Sequence, residues 1–77
     1  MKTAERKAYH LYKRADAAQI RALNAWFALP TWDHDANEKA RKTYYKRRDT
    51  ANRRYAEWRA EFQATTDRLI ASLTGNP

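Results

Sequence analysis

No cysteine occurs in this chain, which excludes a disulfide framework and any zinc site built on thiolates. Glycine appears once and proline twice in 77 residues, at Gly75, Pro30 and Pro77, so no glycine-rich loop is available to cradle a phosphate. The single serine, Ser72, stands near the end without an obvious general base, and catalysis has little to rest on. No run approaches the ~18 consecutive apolar residues of a membrane span. The opening MKTAERKAYH lacks the apolar stretch of a secretory signal, so the expected location is cytoplasmic.

What is present is helix-forming. Ala, Arg, Lys, Glu and Leu dominate and β-branched aliphatics are scarce, which predicts a single all-α domain over 1–77. The net charge of +7 and mean hydropathy of −1.08 would suit a disordered chain, but ten aromatic residues and a regular apolar period oppose that reading. Thr3 is a candidate N-cap with Glu5 in the first turn. Ala4, Ala8, Leu11, Ala15, Ala18, Ala22, Ala25 and Leu29 then recur at steps of four and three, the seam of a coiled-coil-like helix made mostly of alanine. Tyr12, Leu23 and Trp26 flank this stripe. Leu29-Pro30 ends the first helix, since proline breaks the hydrogen-bond ladder and disfavours helical geometry before it.

Thr31 or Asp33 can cap a second helix, giving helix 3–29, turn 30–32 and helix 33–73. Its seam reads Tyr44, Arg48, Ala51, Tyr55, Trp58, Phe62, Thr65, Leu69 and Ser72, placing large rings against the alanines of the first helix. Arg48 on that seam calls for a partner, and folding back at Pro30 nominates Asp16. Trp26 and Trp32 are expected to pack together at the turn, with Trp58 in the core. The expected fold is an antiparallel two-helix hairpin. The second helix is the longer by about 20 Å at ~1.5 Å per residue, so its apolar end, Phe62, Leu69, Ile70 and Leu73, overhangs. A homodimer forming a four-helix assembly would cover it; a break near Thr65-Thr66-Asp67, making a short third helix, is the alternative.

Charge is concentrated in one place. Between Lys39 and Arg54 stand eight Lys or Arg and one acid, Asp49, while the other eight bases and eight acids cancel. Lys39, Lys46 and Arg53 share the outermost helical position, Lys42 sits beside them, and Arg47 and Arg54 line one shoulder. Such a ridge, about 20 Å long, can meet several phosphates of a duplex that carries one charge per ~1.7 Å. Tyr45 among the bases can stack on an unpaired nucleotide. A charged face can also serve only to keep a small helical protein in solution, but solvated faces mix signs more evenly than this one.

The other clusters have plainer readings. Trp32-Asp33-His34-Asp35 contains potential metal ligands, yet capping and the helix dipole account for both acids, and no metal or other cofactor is expected. Glu57 and Glu61 stand one turn apart beside Arg53 and Arg54, a salt-bridged surface rather than a catalytic pair. His10 reads as an ordinary surface residue. Phe27 is the aromatic best suited to face a partner.

The leading expectation is therefore a non-enzymatic protein that binds DNA or RNA through the ridge without strong sequence specificity, since no sequence-reading motif is present. The second is an adaptor or inhibitor, of the kind compact phage or mobile-element genomes encode, docking on an acidic surface of a larger complex through the ridge and Phe27. Binding to a membrane surface ranks third and is not expected, because the apolar stripes are committed to helix packing.

Overall fold

The computed structural model describes residues 3–75, and these form two α-helices, α1 (Ala4–Phe27) and α2 (His34–Leu73). Both starts follow from side-chain capping. Thr3 Oγ1 accepts from the Arg6 amide at 3.1 Å, and Asp33 Oδ1 accepts from the Ala36 amide at 3.1 Å, each satisfying a donor that the first turn leaves unpaired. Asn37 ties the turn to α2: its Nδ2 donates to the Pro30 carbonyl at 2.7 Å and to the Asp33 carbonyl at 2.9 Å. At the far end Gly75 takes φ +73°, a left-handed conformation that glycine tolerates without a Cβ clash.

The helices run antiparallel and are joined by rings. Tyr12 meets Tyr55 edge-on at 5.3 Å and stacks on Trp58 with planes 2° apart, and Tyr9 lies 5.4 Å from Trp58. Nearer the turn Trp26 packs on Tyr44 at 5.9 Å. Aromatic pairs of this kind add to the area they cover because ring edges and faces carry opposite partial charge. Ala51 sits between the two groups, 2% exposed, where its small side chain lets the helices approach closely.

The contact face follows most of the alanine period and extends to the rings beside it. Of the alanine stripe, Ala8, Leu11, Ala15, Ala18 and Ala22 in α1 and Leu29 just after it are covered, as are Tyr12, Leu23 and Trp26 beside it, while Ala4 and Ala25 are exposed. The face is drawn toward the rings, because covering Tyr12 and Trp26 removes far more apolar area from water than covering Ala4 and Ala25. In α2, Tyr44, Ala51, Trp58 and Thr65 keep their places, but Arg54 and Glu61 are half-buried whereas Arg48, Tyr55, Phe62 and Leu69 are exposed.

The register also corrects the Asp16–Arg48 pair. With Tyr12 opposite Tyr55 and Trp26 opposite Tyr44, Asp16 lies level with Ala51 and Asn52, about a turn beyond Arg48. Asp16 instead accepts from Gln19 Nε2 at 2.8 Å, and Arg48 reaches Asp49 at 3.8 Å. The Trp26–Trp32 contact does not form either: Trp26 has Phe27, Tyr44 and Tyr45 as ring neighbours, and Trp32 stands 76% exposed. The backbone passes through Thr65, Thr66 and Asp67 without a break, so α2 is one helix and no third helix folds back.

The hairpin is a rod of 64 × 19 × 12 Å with a radius of gyration of 18.4 Å; a compact chain of this length would have about 11–12 Å. No helix of the described residues is long and apolar enough to cross a membrane. The packing predicts that Ala51→Leu, which forces the helices apart at their closest approach, costs about 1–3 kcal/mol, read as a lower urea midpoint with the slope unchanged. A midpoint equal to that of the parent chain would show that the approach at Ala51 is not tight.

Candidate nucleic-acid interface

The strip that carries Lys39, Lys46 and Arg53 recurs every seven residues along α2, a spacing that returns each side chain to nearly the same side of the helix. All three are exposed, as are Lys42 and Arg47. The side chains differ in what they already hold. Lys42 lies 3.9 Å from Glu38, and Arg54, half-buried, is paired with Glu57 at 3.0 Å. Among the described residues, Lys39, Lys46, Arg47 and Arg53 make no ion pair. The ridge therefore has four uncommitted cations, with Lys42 loosely held and Arg54 turned toward the α1 side.

Tyr45 is placed differently from the role its position invites. Its ring carries the Arg48 guanidinium 4.7 Å from the centroid and the Arg41 guanidinium at 5.7 Å, with Tyr44 and Trp26 against it at 5.4 and 6.4 Å. Cation–π attraction of this sort holds the ring among neighbours of its own chain. A base seeking to stack there meets two arginines first.

At the turn end of the ridge, Glu38 takes two bonds from Arg41, at 2.6 Å and 3.0 Å. These hydrogen bonds, together with the charges of Arg41 and Lys42, hold its carboxyl below the usual carboxylate value, and the same pairing raises Arg41. Asp33 of the Trp32–Asp35 cluster serves as the α2 cap. Among the described residues no three His, Asp or Glu side chains gather closely enough to hold a metal ion. Of the residues nominated for partner contact, Phe27 is 72% exposed at the turn, and Phe62, Leu69, Ile70 and Leu73 are exposed along the C-terminal part of α2.

Two features escape a reading of the sequence. A shallow apolar furrow lined by Ala22, Ala25, Leu29, Ala36, Ala40 and Thr43 opens between the helices beside Lys39. A second recess, bounded by Thr3, Glu5, Arg6, Tyr9 and Trp58, lies where α1 begins. The ion pair at Glu38 predicts a carboxyl titration that inflects below the ordinary value. Because its folded-state affinity for the proton is lowered, the pair is complete above the ordinary carboxylate value and dissolves as pH falls through the depressed one. Side-chain NMR of Glu38 should show this, and Arg41→Ala should return the inflection toward the ordinary value; an unchanged inflection would mean the pair is not held in solution.

Compared with known proteins, the chain matches no protein-family model, no curated protein and no solved structure.

Proposed function

We propose that this chain is a small non-enzymatic protein that binds nucleic acid through the Lys39–Arg53 ridge without strong sequence specificity. One observation carries the reading: four exposed cations, Lys39, Lys46, Arg47 and Arg53, stand along about 20 Å of straight helix with no acidic partner of their own. Surface cations that serve only solubility are usually interleaved with acids, and here Asp49 is the one acid in the segment. A duplex or single strand supplies phosphates at matching density, and each contact releases condensed counterions. The working unit in this reading is a cytoplasmic homodimer presenting two ridges.

A second reading has its own support. Phe27 and Trp32 project at the turn, at the end of the rod where the ridge begins, and exposed aromatics near cations suit an acidic protein surface. In that case the chain is an adaptor or inhibitor, of the sort a phage or other mobile element carries, and its binding depends on rings as well as charge.

The readings separate in one titration series. Fluorescence anisotropy with labelled duplex DNA, single-stranded DNA and RNA should show affinity that falls with salt, with a log–log slope of roughly −3 to −4 for about four phosphate contacts. Lys46→Glu with Arg53→Glu should weaken binding by at least tenfold and flatten that slope. Full-strength binding by the doubly reversed chain would remove the ridge from the mechanism. Absence of nucleic-acid binding at ~0.15 M salt, with capture of a protein partner that Phe27→Ala abolishes, would establish the adaptor instead.

A further inference from the structure

The hairpin leaves too much surface in water for a chain of its size. It exposes 6261 Å², where a compact monomer of its mass exposes about 4,900 Å². The excess, about 1,400 Å² per chain, comes from the rod shape, and a contact over the last turns of α2 would return part of it. Among the described residues Ala51 alone is fully buried, so the contact between α1 and α2 does not supply a core.

Uncovered apolar side chains stand at both ends, Phe27 and Trp32 at the turn and Leu69, Ile70 and Leu73 at the far end of α2, and the second group shares one face of a continuous helix. The ring contacts set Thr3 level with about Thr65, so the last two turns of α2 extend past α1. Leu69, Ile70 and Leu73 on this segment fall within one helical stripe with Phe62, which lies just before it, and Leu73 is 81% exposed. The stripe leads to the recess formed by Arg6, Tyr9 and Trp58, since Phe62 lies 6.2 Å from the Trp58 ring.

Charge selects the occupant. Each chain carries +7, so two copies repel wherever their ridges approach. From Glu61 to Leu73 the balance is two acids against Arg68, making this the part of α2 where like chains can meet. We propose that two copies pair antiparallel through this stripe, each inserting Leu73 into the Arg6–Tyr9–Trp58 recess of the other. A two-fold axis near Asp67 and Arg68 sets Phe62 of one copy opposite Leu73 of the second and Leu69 opposite Thr66. At that level Leu73 reaches the recess, because Phe62 itself lies level with Arg6. The contact is isologous and closes on itself, so it forms dimers rather than fibres. It holds whether or not the ridge binds nucleic acid.

The test is carried out on the full chain without nucleic acid. Sedimentation equilibrium should give the mass of a dimer, and the thermal midpoint should rise with protein concentration, as dissociation coupled to unfolding requires. Leu69→Asp with Leu73→Asp should yield a monomer, whether it keeps or loses helix by circular dichroism. Placement is read independently by oxidation, which the absence of native cysteine makes clean. A mixture of Phe62→Cys and Leu73→Cys chains should form the mixed disulfide dimer. A Phe27→Cys chain, with its thiol at the distant turn, should not cross-link. A monomeric parent chain at ~100 μM, a dimer that survives both aspartates, or efficient Phe27→Cys cross-linking would each overturn the proposal.

Discussion

The packing of Tyr12, Tyr55 and Trp58 against one another sets nearly everything else in this molecule. The rings fix the rotation of α1, since covering Tyr12 and Trp26 forces Ala4 and Ala25 out to the shoulder. They fix the register, since Tyr12 can meet Tyr55 and Trp58 only if Asp16 lies level with Ala51 rather than Arg48. Through the register they fix how far α2 projects beyond α1. Ala51 completes the arrangement by its smallness: a larger residue there would separate the helices and loosen the rings on both sides.

Much of this architecture was legible from local signals. Proline at position 30, the capping chemistry of Thr3 and Asp33, and the scarcity of glycine elsewhere mark two helices and one turn, and these marks act over a few residues. The face of each helix was only half legible. An alanine stripe and a mixed alanine–aromatic stripe share Ala8, Ala15, Ala22 and Leu29, so periodicity alone does not choose between them. The choice depends on which side chains of the other helix stand opposite, a long-range property. The turn contributed the remaining error, because six residues from Ala28 to Asp33 lie between the helices and shift the register by about a turn from that of a tight reversal.

The candidate interface shows the same division. Net charge and its segment are arithmetic on the sequence, and the seven-residue recurrence of Lys39, Lys46 and Arg53 follows from helix geometry. Which cations are already engaged depends on the rotamers of neighbours: Arg54 turns to Glu57, while Arg41 and Arg48 gather over Tyr45. Helical position sets Arg53 on the outer strip and Arg54 on the shoulder, but only the structure shows Arg54 half-buried in an ion pair while Arg53 faces water.

The two hydrogen bonds from Asn37 to the Pro30 and Asp33 carbonyls bear on how the chain reaches this form. They close the reversal within eight residues, so the turn can order before any distant segments meet and at small entropic cost. Outward from the turn the contacts join residues progressively further apart in sequence, from Trp26 with Tyr44, through the region of Ala51, to Tyr9 with Trp58. Helical hairpins with contacts nested in this way have low contact order, the class of topology that folds fastest. The segment after Thr65 lies beyond these contacts, so within one chain it is held only as the continuation of α2.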